Sequence, residues 1–331
     1  MLTKPFESYF WIKTSEFETR NHRVFPVLPG TWRQIIYLTS NFLQRSGFPQ
    51  CYASDRLMWI TPDRLFYTGL LGAPSLRTMG SVIVYVATEG DISVSIEGGE
   101  WQAGQLAVVQ PYVRHQVQSQ ARLINVIQLE AETVHLAMLP EPLLRSGIVD
   151  APAFVDRVRA RRRVLCAKGD DLDLMTFDFD KMLFGKTLTN RSIDGRILAV
   201  IEMIKRHPSA PASAEECAEM AHLSVSRFLH LFTQEVGVAF RSFRTWKRAR
   251  NLLHYVKSES NLTHIALETG YADSTHLSHS IRQVFGLKPK DILAGSRRLA
   301  VYDHALHSQR SALQTPVRSS VSANHGDYYG P

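Results

Sequence analysis

Cysteine is scarce in this chain: Cys51, Cys166 and Cys217 are the three among 331 residues. They are too few and too scattered for a disulfide framework or a cysteine-rich zinc site. Long apolar runs are missing as well. No stretch of about 18 apolar residues offers a membrane span, and the start, "MLTKPFESYFWIKTSEFETR", lacks the apolar core and small-residue cleavage site of a secretory signal. A cytoplasmic protein with no membrane partner is expected. Wholesale disorder is excluded by a content of 44% hydrophobic residues.

The length suffices for two ordinary domains of about 100 to 200 residues each. A net charge of +7 suits a polyanionic partner without requiring one. Its distribution says more, because seven of the thirteen histidines and many arginines fall between residues 191 and 300. The first half reads as short strands with Gly-containing turns, "SVIVYVATEGDISVSIEGGEWQAGQLAVVQPYVRHQVQSQARLINVIQLE", which suggests a small sandwich or barrel. From about Ala153 the spacing becomes helical, and "KTLTNRS" has the polar composition of a domain linker. From Ile193 onward the pattern is helical throughout, punctuated by Pro208 and Pro211. Residues 298–331, poor in apolar side chains, are expected to be a disordered tail.

The most specific signal is an internal repeat at an offset of 49. Ser226, Arg227, Phe228 and His230 correspond to Thr275, His276, Leu277 and His279, and Gly237 corresponds to Gly286. The same offset pairs Cys217 with Ala266 and Ala221 with Gly270, two small residues four apart before each repeated helix. That arrangement suits a helix-turn-helix, where the first lets the helices approach and the second sits at the sharp turn. At 100° per residue, Val225, Phe228, Leu231, Phe232 and Val236 form an inner stripe, leaving Ser226, His230 and Thr233 outward with Arg227 on the flank. In the second copy Leu277, Ile281, Val284 and Phe285 point inward, while Thr275, His279 and Arg282 point out and His276 flanks them. Short donors, acceptors and cations on such faces can read base edges and phosphates in a major groove. Ser224, and Asp273 or Ser274, are natural N-caps. "AFRSFRTWKRARNLLHYV" between the copies predicts a rigid connecting helix of roughly 27 Å at about 1.5 Å per residue. Arg241, Lys247, Arg248, Lys288 and Lys290 are candidate phosphate contacts.

Residues 193–297 resemble the AraC/XylS family of bacterial transcription regulators. "LSVSRFLHLFTQEVGVAF" is similar to the family's first recognition helix, and "LTHIALETGYADSTHLSHSIRQVFGLKP" to its signature, with Ile265, Ala266, Gly270, Tyr271, Phe285, Gly286 and Pro289 in place. Departures from the pattern are His279, Ile281 and Thr245, so a relative's base-contact code does not transfer. The resemblance implies an α+β chain: an N-terminal cupin-like β-barrel with following helices, then an all-α domain of two helix-turn-helix units joined by a linker helix. The corresponding division is a sensing or dimerisation domain at 1–190 and a DNA-binding domain at 193–297, with units near 213–236 and 262–285. "GGEWQAGQLAVVQPYVRHQV" is similar to a cupin motif, with Gly104, Pro111 and His115 suitably spaced, and residues 154–184 are the expected dimer-forming element. The implied partners are promoter DNA, RNA polymerase, a small-molecule effector and a second copy, with activation favoured over repression.

Trp59, Tyr85, Trp101 and His115 are the candidate effector-pocket residues, against the plainer reading that aromatics on strands are core. A metal-dependent cupin enzyme is the competing class, yet "YVATEGDISVSIEGGEW" supplies no further histidine to join His115. A DNA-repair enzyme fused to the same reader would want a cysteine-ligated zinc and a reactive thiol, against which the dispersed cysteines argue. No catalytic residue, metal or cofactor is assigned.

Overall fold

A computed structural model of the protein describes residues 55–168, 178–210, 212–258 and 260–303. Ten strands make two sheets: β1 (Leu57–Ile60), β2 (Arg64–Gly69), β3 (Ser81–Ala87), β4 (Ile92–Ile96), β5 (Gln102–Gly104), β6 (Leu106–Val109), β7 (His115–Ser119), β8 (Ile124–Glu130), β9 (Gly147–Ile148) and β10 (Ala300–Asp303). The larger sheet runs β10-β1-β2-β8-β3-β6-β9 and the smaller β5-β4-β7. Every pairing is antiparallel except β1 with β10.

β3, "SVIVYVA", is buried along its whole length because the sheet is covered on both sides. Ile83, Tyr85 and Ala87 share a core with Ile92 and Val94 of β4 and Val117 of β7. Val82, Val84 and Val86 pack the other way, with Leu106, Val108 and Ile127. Strands buried on two faces lose the polar alternation of a half-exposed strand. The expected barrel takes the form of two facing sheets, neither of which closes on itself by hydrogen bonds among the described residues.

Helices α1 (Pro152–Lys168) and α2 (Phe179–Phe184) cover the outer face through Val155, Val158, Leu165, Phe179 and Leu183. Arg64 of β2 pairs with Asp180 of α2 at 2.8 Å. The helical part follows as α3 (Gly195–Arg206), α4 (Ala214–Met220), α5 (Val225–Val236), α6 (Phe240–Asn251), α7 (Leu262–Glu268), α8 (Ser274–Phe285) and α9 (Pro289–Gly295), and a 3-10 turn over Leu252–Tyr255 extends α6. Ile197, Val200, Ile201 and Ile204 of α3 close a core over Phe228, Phe232, Phe240 and Phe243. Phe232 and Phe240 meet edge to face with centroids 5.1 Å apart, a geometry that benefits from the ring quadrupoles. The second unit has no such separate core. Leu277, Ile281 and Phe285 join Trp246, Leu252 and Leu253 in one cluster with Met58, Leu65 and Met79 of the sheet region.

That merging corrects the expected tail. Leu299 is buried at 3% exposure, and Ala300–Asp303 pair with β1 in register from Leu57 to Ile60. The start of the expected tail, "LAVYD" at 299–303, is apolar apart from its last residue, and it is held by backbone pairing with β1 while Leu299 and Val301 pack on one side of the sheet and Ala300 and Tyr302 on the other. The remainder of the expected tail, 304–331, and the first 54 residues of the expected sensing domain lie outside the described residues. No described helix is long and apolar enough to cross a membrane.

Candidate nucleic-acid interface

Both helix-turn-helix units are capped by their own sequence. Ser213 and Glu216 form a reciprocal box at the start of α4, with Ser213 N donating to Glu216 Oε2 at 2.7 Å and Glu216 N to Ser213 Oγ at 3.1 Å. Ser224 Oγ accepts from Arg227 N at 3.4 Å at the start of α5. In the second unit Asn261 caps α7 by accepting from His264 N at 2.9 Å. Asp273 caps α8 by accepting from Thr275 N at 2.8 Å and His276 N at 2.7 Å. Gly237 (φ 82°) and Gly286 (φ 71°) end the two recognition helices in the left-handed conformation.

The helical faces divide as the periodicity predicts. Phe228, Phe232 and Val236 are buried, whereas Ser224, Ser226, Arg227, His230 and Thr233 are exposed. In α8, Leu277, Ile281, Val284 and Phe285 are buried and Thr275, His276, His279 and Arg282 are exposed. Two of these groups are partly committed within the fold. Thr233 Oγ1 donates to the Leu229 carbonyl at 2.9 Å, and the His276 ring stands edge-on to Tyr271 with centroids 5.5 Å apart.

The turns correct the alignment of the two units. The caps Ser213 and Asn261, and the helices they open, are related by 48 rather than 49. The recognition helices keep 49, so the second unit carries one extra residue between turn and α8. The hydrogen bond from Leu223 N to the Ala218 carbonyl matches that from Tyr271 N to the Ala266 carbonyl. Ala218, not Cys217, therefore corresponds to Ala266, and His222 (φ 53°), not Ala221, corresponds to Gly270 (φ 76°). A constant offset hid the insertion because it falls in a loop, where spacing carries no periodicity.

The candidate phosphate contacts separate. Arg241, Lys288 and Lys290 are exposed, and Arg248 is half-buried with its guanidinium 5.5 Å from the Tyr271 ring centre. Lys247 is buried at 5% exposure and turns toward the sheet. It hydrogen-bonds Glu130 and lies 2.5 Å from Glu132. Arg250 pairs with Glu130 at 2.7 Å, and Trp246 Nε1 donates to Glu130 at 2.8 Å. Burial alone would raise the Glu130 carboxyl, but Lys247 and Arg250 outweigh it and hold the group below its ordinary range. Burial together with the neighbouring Glu130 pushes Glu132 up, against Lys247. This cluster escaped sequence reading. Its one signal is an acid pair, "LEAE", at the end of the mostly apolar strand "INVIQLE".

The effector candidates do not converge either. Tyr85 and His115 meet, with the phenol 2.9 Å from His115 Nε2 and the Val113 carbonyl 3.0 Å from Nδ1. Burial lowers the His115 pKa to about 4, helped by Arg77 and opposed by the Val113 carbonyl and Glu97. The neutral ring thus donates from Nδ1 and accepts from Tyr85, whose own pKa burial raises. Trp59 lies on the opposite side of the sheet, against Phe179 at 5.8 Å, and Trp101 is 45% exposed. Strand parity separates Trp59 from Tyr85, and a hairpin end carries Trp101 into solvent. Among the described residues no group of three or more His, Cys, Asp or Glu side chains is placed to hold a metal. A cavity of about 450 Å³ does adjoin Tyr85, between the inner sheet face and α9.

Residues 217–295 match the family model described as a helix-turn-helix domain. This segment is a helix-turn-helix domain. The chain is 30% identical over 109 residues to the HTH-type transcriptional activator RhaS of Escherichia fergusonii, covering 32% of this chain and 38% of that protein. It is 30% identical over 71 residues to the invasion protein InvF of Salmonella typhi, covering 21% and 33%. The chain thus spans little more than a third of the length of these curated relatives. Among solved structures, ToxT from Vibrio cholerae O395 aligns with 70% of this chain and 96% of its own at a TM-score of 0.42 and 11% identity. The DNA-binding domain of AdpA in complex with a target DNA aligns with 31% and 95% at a TM-score of 0.30 and 18% identity.

Proposed function

We propose that this chain is a sequence-specific, DNA-binding regulator of transcription and not an enzyme, acting in the cytoplasm as an activator together with RNA polymerase. The observation that carries the reading is the presence of two capped helix-turn-helix units in one chain, each with an exposed polar face on its second helix. α5 and α8 would enter successive major grooves, with Ser226, Arg227, His230 and Thr233 on one helix and Thr275, His276, His279 and Arg282 on the other meeting base edges. The caps Ser224 and Asp273, together with Arg241, Arg248, Lys288 and Lys290, would set the register on the phosphates. Because the two faces differ, each copy should read an asymmetric site. The activator assignment is supported by the name of RhaS.

The two-sheet region with α1 and α2 is the proposed sensing and dimer-forming part, and residues 193–297 the reader. An effector acts by binding one arrangement of these parts better than another. The test is gel-shift competition on promoter DNA. A specific site is expected, with affinity falling at least tenfold for Arg227→Ala or His230→Ala, about 1.4 kcal/mol or more for a base-reading contact. Equal binding to unrelated DNA removes the specificity claim.

A further inference from the structure

Leu229 on α5 has no part in the core of the fold. Val225, Phe228, Leu231 and Phe232 of the same helix pack into the first unit's core, and Leu229 is absent from it. Its side chain is 37% exposed, and among the described residues no other large apolar side chain of α5 or α8 is exposed. Leu229 lies three residues after Ser226 and four before Thr233, so one face of the helix carries all three, with His230 beside them. Ser226, His230 and Thr233 are exposed as well. Thr233 Oγ1 donates its proton to the Leu229 carbonyl at 2.9 Å. What Thr233 then offers beside Leu229 is a methyl group and a lone pair, with no donor. The recognition helices are related by an offset of 49, and at the position equivalent to Leu229 the second one carries Ser278, half-buried.

Base edges in the major groove present hydrogen-bond donors and acceptors and one methyl group, on C5 of thymine. A leucine set against a donor or acceptor strips its water without supplying a partner, which is unfavourable. Set against the thymine methyl, it buries apolar surface on both sides of the contact. We propose that Leu229 is a specificity-determining residue that selects thymine through its C5-methyl, with the methyl of Thr233 beside it. Because α8 has Ser278 at the equivalent position, this selection is confined to the half-site that α5 reads. The assignment rests on the reading of α5 as a helix that enters the major groove. To that reading it adds a residue outside the polar set and the base that the residue recognises.

The experiment selects preferred duplexes from a random pool with the purified full chain, then replaces each thymine of the recovered site in turn by deoxyuridine. That change removes the methyl group and keeps the hydrogen-bonding edge. A replacement within one half-site is expected to weaken binding about fourfold, the worth of one buried methyl. Leu229→Ala should bind the thymine and deoxyuridine duplexes equally. Leu229→Gln should move the preference at that position from thymine to adenine, whose N6 and N7 an amide can pair. Both variants should keep the urea midpoint of the unaltered protein, since Leu229 is exposed and outside the core. A recovered site that lacks thymine, or tolerates deoxyuridine at every thymine, overturns the assignment and leaves the DNA-reading proposal standing. So does a thymine preference that persists undiminished in Leu229→Ala. Recovery of no preferred sequence at all is a different result, and it overturns the groove reading of α5 together with this assignment.

Discussion

His222 holds a β-carbon in the left-handed conformation, at φ 53°, where an L-residue costs roughly 1 to 2 kcal/mol. Its side chain is exposed, so little packing offsets that cost. His222→Gly should therefore raise stability by about 1 kcal/mol, read as a higher urea midpoint at unchanged slope. The corresponding Gly270 behaves oppositely. A β-carbon there would lie 2.3 Å from the Ser209 carbonyl oxygen at φ 76°, and Gly270→Ala should cost about 2 kcal/mol or more. Unchanged midpoints in both variants would contradict the realigned turns. His115 makes a pH prediction. Its unfolded value is 6.5 and its folded value about 4, so between these the unfolded chain binds more protons than the native one. The stability it contributes is complete above pH 6.5 and is lost as pH falls toward 4, by about 3 kcal/mol at most at roughly 1.4 kcal/mol per pH unit. His115→Gln should flatten that part of the stability profile; an identical profile would place the proton elsewhere.

Among the elements, the recognition helices were the most legible. Their stripes at positions three and four apart, their Ser and Asp caps and their terminal glycines are all local signals. α6 was legible as a helix and illegible as a surface. Phe240 and Phe243 turn toward the first unit's core, while Trp246, Lys247 and Arg250 turn toward β8. Nothing in the basic composition "FRTWKRAR" distinguishes a buried lysine from a solvated one, because the deciding partners, Glu130 and Glu132, lie more than a hundred residues away. Glu130→Gln leaves Arg250 without a carboxylate in the interior and should cost about 3 kcal/mol or more. Glu132→Gln should cost less, since Lys247 keeps Glu130. A reversed order in chemical denaturation would refute the sharing of charge described above.

For the whole molecule, α6 is both the connector of the two readers and the element pinned to the sheet. That arrangement distinguishes its cations as DNA contacts. If Lys288 or Lys290 meets phosphate, its replacement by Gln should reduce the slope of log affinity against log salt by about 1, uniformly across sequences. Lys247→Gln should leave that slope unchanged and lower stability instead. A slope change for Lys247 equal to that for Lys288 would mean that α6 leaves the sheet when DNA binds.

The sequence by itself determined the helix-turn-helix units, their inner and outer faces and the stranded character of the first half, because caps, turns and periodicity act over a few residues. Tertiary structure decided the rest. Strand parity put Trp59 and Tyr85 on opposite sides of one sheet, and a loop insertion shifted the register of the turns. Backbone pairing drew Ala300–Asp303 onto β1. Burial converted Lys247 from an apparent surface charge into one of two cations, with Arg250, that share the interior carboxylates Glu130 and Glu132. Each of these depends on which distant residue fills the space beside a group, and spacing along the chain carries no record of that.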